Sequence, residues 1–383
     1  MRPGEPAAPD APIGDRGARR ASALLTIDLA AIQENYRRLC AHLQGVPAAP
    51  VVKADAYGLG TVQVGPALAR AGARIFLVAT IDEGIALRRP LTAWPDAKIL
   101  VLVGPLPGAE TELREHGLLP VLNSLDDVDR WGRLAAREGF ALDAALQLDS
   151  GMSRLGLAPA ELELLADDPG RLEGIALTCV MSHLACAEEA DNPMNRRQRD
   201  AFAAARKRLP GAPGSLANSS GIFLGPDYHF DLARPGAALY GVNPTPDKPN
   251  PMVQVVRLQG KILQVRRIDA RQSVGYGATH RAQAAMRVAT VGVGYADGYL
   301  RSLSNRGTAF IDGQRIAVIG RVSMDLITLD VTSLPEHAAR PGTLVELFDP
   351  ERGPDALAEQ AGTIGYEILT ALGRRYHRTY LAD

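Results

Sequence analysis

Between residue 29 and residue 240 the chain alternates short, continuous apolar runs with stretches of helical periodicity. Leu29, Ile32, Tyr36, Leu39, Cys40 and Leu43 share one helical face, and Asp28 stands where an N-cap belongs. Runs suited to buried parallel strands follow at Val51-Val52 and at residues 75–79, 99–103, 119–122, 144–148, 177–181, 215–217 and 237–240. Helical patterns lie between most of them. Residues 124–137 carry Leu125, Val128, Trp131 and Leu134 in register behind Ser124 as cap, and residues 197–209 form another. Eight strands with intervening helices predict an α/β fold, a (β/α)8 TIM barrel over residues 22–243. A doubly wound open sheet is the rival, because periodicity does not show closure.

After Gly241 the texture changes. Residues 243–252 are rich in Pro and Asn and read as a linker. Alternating strands come next. Val256, Leu258 and Ile262 share one face, with Arg257, Gln259 and Lys261 on the other. Asp312-Gly313 lies between two apolar-alternating runs, 307–311 and 315–319, and predicts a tight hairpin. Residues 342–348 form a further strand, and residues 364–376 read as a helix that closes the chain. Residues 244–383 are therefore expected to be a mostly β second domain.

Composition narrows the class. The 383 residues are 46% hydrophobic and 22% charged, ordinary for a globular protein and long enough for two domains. A net charge of −1 without a basic stripe argues against nucleic acid and anionic membrane as partners. No apolar run is long enough to span a bilayer. Residues 1–21 are rich in Pro, Gly, Ala and Arg and lack the apolar core of a secretory signal, so a disordered tail on a cytoplasmic protein is expected. Three cysteines, Cys40, Cys179 and Cys186, suggest no disulfide framework. Cys179, His183 and Cys186 lack a usual zinc spacing, so no metal is expected.

The chemistry collects where barrel strands end. Val51-Val52 runs straight into Lys53-Ala54-Asp55-Ala56-Tyr57-Gly58. A partly buried lysine there loses some of its preference for the ammonium form, which suits a Schiff-base nucleophile; the alternative is a surface lysine after an edge strand. Residues 149–154, His183, Asn218-Ser219 and Arg234-Pro235-Gly236 fall at other strand ends. Asn218-Ser219-Ser220-Gly221 offers hydroxyls and backbone N–H groups for a phosphate, and Gly236 allows close approach of backbone to the same anion. The alternative for Asn218-Ser219 is an ordinary helix cap. Gly292-Val293-Gly294-Tyr295-Ala296-Asp297-Gly298 has one residue too many for a dinucleotide loop and no helix after it.

These residues carry a resemblance. Residues 52–58, 149–156, 234–241, 274–277, 294–299, 320–325 and 363–367 are similar, in order, to the motifs of the alanine racemases. The likeness runs from about residue 25 to residue 380. It implies a pyridoxal-phosphate enzyme, a barrel followed by a β domain, that interconverts L- and D-alanine. Lys53 would hold the cofactor covalently, as an aldimine, and act as base on one face of the substrate Cα; Tyr276 of a partner subunit would serve the other. Tyr57, Asn218, Ser219, Gly236, Ala237 and Tyr366 would hold the phosphate, and Arg234 would face the pyridine nitrogen. His183 would link Tyr276 to Arg234. Arg154 and Met324 would position the substrate carboxylate, and Tyr295 would narrow the entrance. The resemblance also implies a homodimer with shared active sites.

Three departures from the family pattern stand out. Gln147 replaces a lysine that many members carry as a carbamate, and is expected to accept a hydrogen bond from Arg154 without carrying charge. Ser323 and Gly365 replace a frequent cysteine and asparagine. The alternatives are a broader-specificity amino-acid racemase, a decarboxylase on the same barrel, and a non-catalytic pyridoxal-phosphate-binding protein. Arg234 argues against the decarboxylase, and the domain bearing Tyr276 against the carrier.

Overall fold

Six parallel strands, Ile75–Val78, Lys98–Val101, Leu119–Leu122, Leu142–Gln147, Ile175–Met181 and Gly214–Ser215, hydrogen-bond in that order. In this computed structural model the described residues are 16–209, 211–349 and 351–382. The first three of these strands are buried nearly end to end, as expected of a parallel sheet covered by helices on one face and packed side chains on the other.

Two irregular segments close this sheet into a ring. Val52 N–H donates to Leu77 O (2.8 Å) and Leu77 N–H to Pro50 O (3.0 Å). Val51 N–H donates to Pro235 O and Ala49 N–H to Ala233 O, both at 2.8 Å. Arg234 N–H reaches Ala217 O (2.8 Å), which returns the ring to the last regular strand. The fold is therefore the barrel and not the open sheet. Pro47, Pro50 and Pro235 lack the N–H that a regular ladder needs, so the seam is held by scattered bonds. The expected eighth strand, residues 237–240, is instead a 3-10 turn, Ala237–Tyr240; residues 231–235 take its place in the ring. All four turn residues are buried, and a short apolar run does not distinguish strand from buried helical turn.

The capping expectations hold. Asp28 Oδ1 accepts from Ala31 N–H (2.8 Å) at the start of helix Leu29–His42, and the Ser124 hydroxyl accepts from Asp127 N–H (3.1 Å) before helix Leu125–Glu138.

The chain divides into two compact units that are not sequential. One contains residues 28–255 and the last few residues; the other contains residues 256–379 and the described residues before 28. In the second unit the long strand Val256–Ile268 is the spine. It pairs antiparallel with Ala23–Asp28, Leu344–Glu346 and Met286–Val291. The hairpin Thr308–Ile311/Gln314–Ala317 turns at Asp312 (φ 49°) and Gly313 (φ 75°), the two positive φ values that a type I′ turn requires.

Both ends of the described chain differ from their local pattern. Arg16–Arg20 is a helical turn, where a disordered tail was expected; its Ala18 and Arg19 carbonyls accept from the Lys261 ammonium. The rest of that tail, residues 1–15, lies outside the described residues. The closing helix is only Gly365–Thr370, and the chain ends in the strand His377–Leu381. That strand joins the sheet beside Ala23–Asp28, and residues 371–376 before it are a non-helical connection.

Candidate active site

Lys53 follows the Val51 bridge, and the backbone then reverses its hand. Ala54, Asp55, Ala56 and Tyr57 all have φ between 53° and 55°. Left-handed turns cost roughly 1–2 kcal/mol per non-glycine residue, so this one must be held by its surroundings. Gly58 N–H donates to Ala54 O (2.7 Å) and Gly60 N–H to Asp55 O (2.8 Å). Asp55 Oδ1 accepts from Thr61 N–H (2.7 Å), and Glu83 Oε1 from Ala54 N–H (2.7 Å). The turn leaves Lys53 half-buried and sends Tyr57 into the barrel, with its ring 4.8 Å from that of Tyr240. The Tyr240 hydroxyl in turn donates to Val51 O (3.0 Å).

The Lys53 amine is pushed below its ordinary pKa. Burial is the main cause and the positive charge of Arg154 adds to it; Glu83 opposes both. Arg234 is fully buried and donates to Ser182 O (2.5 Å), Leu216 O (3.4 Å) and the Ser215 hydroxyl. Burial lowers its pKa to about 10, so it stays a cation at neutral pH. Its Nη2 lies 3.4 Å from His183 Nδ1. Burial, reinforced by Arg234, Arg154 and Lys53, pushes His183 down to about 3. The imidazole is therefore neutral, able to pass a hydrogen bond but not to add a fourth positive charge.

This shift has a stability consequence with a definite sign. The folded His183 binds its proton only near pH 3, whereas an unfolded histidine binds it near pH 6.5. The contribution is complete above about pH 6.5 and is lost as pH falls toward 3. His183→Gln, which keeps an acceptor for Arg234, is expected to lose less stability than the parent between pH 6.5 and pH 4. Parallel denaturant titrations of the two proteins measure the difference.

An anion cradle lies on the segment next to Lys53 in the ring, where Val51 N–H donates to Pro235 O. The Ser219 hydroxyl oxygen accepts from Gly236 N–H (2.9 Å) and Ala238 N–H (3.2 Å), leaving its own proton to donate. The Ala237 N–H, at the start of the 3-10 turn, has no backbone or side-chain partner among the described residues. A Cβ on Gly236 would lie 2.5 Å from the Tyr57 hydroxyl oxygen, so only glycine lets that phenol approach. Asn218 behaves as a cap: its Oδ1 accepts from Gly221 N–H (2.8 Å). The Ser220 hydroxyl is buried without a protein partner among the described residues.

Arg154 rides on a loop folded around Asp149, whose carboxylate accepts from the N–H groups of Gly151 (2.8 Å), Met152 (2.9 Å) and Ser153 (3.1 Å). Its guanidinium is exposed. The expected hydrogen bond from Arg154 to Gln147 is not formed; Gln147 packs beside Gly156, where an added Cβ would meet its Cγ at 3.0 Å. Cys179 and Cys186 join no metal-binding group, and among the described residues no cluster of three or more His, Cys, Asp or Glu side chains could hold a metal.

In the β unit, one segment gathers three more candidates. Residues 320–324 run beside Gly275 and Gly277, which flank Tyr276, and Ser323 O and Met324 O accept from Tyr295 N–H and Ala296 N–H, both at 3.0 Å. Tyr276, Met324 and Tyr295 are 72%, 53% and 43% exposed, an unusual concentration of large side chains in solvent. Asp297 holds the turn below them. It accepts from Gly294 N–H (2.9 Å) and binds Arg375 in a fork at 2.6 and 2.9 Å, while Arg375 also reaches Asp325 (2.7 Å). Tyr366 begins helix Gly365–Thr370 in the same unit and is half-buried.

Sequence reasoning missed Glu83 and gave Asp149 and Asp297, which lie within its motifs, no role of their own. Thr80-Ile81-Asp82-Glu83 does carry a capping-box signature, and the box forms, but the reach of Glu83 to Ala54 spans 29 residues and no local pattern reports it.

A (β/α)8 barrel with a half-buried amine, an anion cradle and two arginines at its strand ends, joined to a β unit with exposed tyrosines, defines a barrel enzyme for an anionic cofactor and a carboxylate substrate. Comparison with known proteins gives the family. Residues 27–244 match the alanine racemase N-terminal domain and residues 255–380 the alanine racemase C-terminal domain. The chain is 56% identical over 362 residues to an alanine racemase of Rhodospirillum rubrum, covering 94% of this chain and 96% of that one. A catabolic alanine racemase of Mesorhizobium japonicum is 54% identical over 361 residues, 94% of each chain. The crystal structure of the Bartonella henselae alanine racemase, with covalently bound pyridoxal phosphate, superposes with a TM-score of 0.90 at 40% identity, covering 94% of this chain and all of that one. The chain belongs to the alanine racemase family.

Proposed function

We propose that this protein interconverts L- and D-alanine with pyridoxal phosphate bound through Lys53, and that Lys53 and Tyr276 are the two bases. The observation that carries the reading is Lys53 itself: a half-buried amine of lowered pKa at the end of a barrel strand, near enough to Arg154 to feel its charge and on the segment next to the anion cradle.

The residues present fit the cofactor. A phosphate needs donors, and the Ser219 hydroxyl proton, the Ala237 N–H and the close approach of the Tyr57 phenol at Gly236 supply that chemistry. A pyridine nitrogen needs a donor too, and the Nε of the fully buried Arg234 has no partner among the described residues. Bound there, pyridoxal phosphate withdraws the electrons left when the substrate Cα loses its proton.

The side chains do the rest. Arg154 and the Met324 backbone bind the substrate carboxylate. Lys53 takes or returns the proton on one face of Cα and Tyr276 on the other, so the proton leaves one face and another arrives from the opposite side. His183, neutral, carries the hydrogen bond between Arg234 and Tyr276. Asn218 serves indirectly, by shaping the Ser219 turn. Tyr366 completes the phosphate site, and Tyr295 narrows the way in.

Tyr276 acts across a two-fold axis, in a homodimer with shared sites. Supporting this, Tyr276, Tyr295 and Met324 are presented together and exposed in the single chain. Among the described residues no helix is long and apolar enough to cross a membrane; a cytoplasmic location follows the sequence reading. Lys53→Ala and Tyr276→Phe, each inactive alone, are to be coexpressed with different tags and purified as the heterodimer. A shared site leaves one intact site per heterodimer, and activity returns to about half. Continued inactivity would mean that both bases come from one chain.

A further inference from the structure

The geometry points to Glu83 as a positioning residue for Lys53: one carboxylate ties the strained turn that begins at Ala54 to the neighbouring strand end. This rests on Lys53 carrying the cofactor. Glu83 Oε1 accepts from Ala54 N–H at 2.7 Å, the peptide directly after Lys53. Glu83 Oε2 accepts from Ala79 N–H at 2.7 Å, the residue after strand Ile75–Val78. The next strand of the ring and the lysine-bearing turn are thus bridged by a single side chain.

The bridge matters because the turn is costly. Four consecutive residues have positive φ and none is glycine. The Ala54 N–H is the first donor of that turn, and a carboxylate is its strongest kind of acceptor. Glu83 also carries the negative charge that raises the Lys53 pKa against burial and Arg154. The same side chain has a second, separable role, because with Thr80 it forms the capping box of helix Ile81–Arg88. Capping alone does not need the contact to Ala54.

Thr80→Ala removes the cap while leaving the bridge, so it is the control. Two readouts on the holoenzyme separate the roles: the pH at which the visible band of the Lys53 adduct titrates, and the rate at which excess hydroxylamine strips the cofactor. In Glu83→Gln the titration is expected to move to lower pH, because a nearby negative charge is gone, and cofactor loss to quicken about tenfold, the worth of one charged hydrogen bond. Thr80→Ala should change neither while lowering the melting temperature. Should the glutamine variant not accumulate, Glu83→Asp keeps the charge and loses the reach, so cofactor loss quickens with the titration unmoved. The inference is overturned if the Glu83 variants behave as wild type in both readouts, or if Thr80→Ala shifts them equally. A wild-type protein with no visible adduct on Lys53 overturns the cofactor assignment first, and this inference with it.

Discussion

Lys53→Ala is expected to abolish racemisation, by at least about a thousandfold, and to leave the fold intact. The chain has five lysines, and their settings differ. Lys98 is paired with Asp143 at 3.2 Å, Lys261 donates to two backbone carbonyls, and Lys207 and Lys248 are exposed. Lys53 alone is half-buried at a barrel strand end with its pKa lowered by burial and by Arg154. In the proposed roles Lys53 is both the covalent anchor and one of two bases, so removing it would compound the losses. Borohydride treatment of the wild-type holoenzyme should fix the cofactor to the peptide containing Lys53, and the variant should hold none covalently. Label on Lys261, or a variant that still racemises alanine within tenfold of wild type, would sink the assignment. Stability should change little, because the Lys53 amine makes no hydrogen bond or ion pair among the described residues.

The largest effect on stability is expected at Gly298. Its φ is +93°, and a Cβ there would lie 2.0 Å from Ala371 O and 2.6 Å from Ala371 C, both backbone atoms. No side-chain rotation relieves that overlap, so either the turn or the segment after helix Gly365–Thr370 must move. Gly298→Ala should cost more than about 3 kcal/mol, from the left-handed backbone and the overlap together. Gly313 is the comparison. Its φ is +75° and a Cβ there would meet nothing within 4 Å, so Gly313→Ala should cost only about 1–2 kcal/mol of strain. Denaturant unfolding of the two variants tests the contrast; equal losses would refute the overlap argument. Gly298 follows Asp297, which holds the Tyr295 turn and the fork to Arg375. The same variant should therefore lose activity beyond what its folded fraction explains, whereas Gly313→Ala should not.

Much of the barrel was legible because its strands are buried on both faces. Unbroken apolar runs and capped amphipathic helices are local signals, and Asp28, Ser124 and the Asp312-Gly313 turn behave as their chemistry dictates. The misreadings share a cause. Residues 237–240 and 364–376 carry local patterns that their surroundings override: the first is a 3-10 turn beside the ring seam, and the second leaves the helix after Thr370, where Gly373 N–H turns to Asp297 O. Gln147 and Arg154 sit close in sequence, yet Asp149 folds the loop between them and they do not bond.

By itself the sequence determined the residue types and their order: an amine after a β-branched pair, hydroxyls before Gly221, an arginine before Pro235-Gly236, and tyrosines in a β-rich second half. These are properties of short segments, and segment chemistry is written in neighbours along the chain. The tertiary structure alone decided what surrounds them. Ring closure through Ala49 and Ala233, the neutral state of His183 among three cations, the left-handed turn behind Lys53 and its tie to Glu83 all join residues far apart in sequence. Desolvation, charge–charge interaction and the support of a strained backbone depend on distances through space, which one-dimensional spacing does not encode.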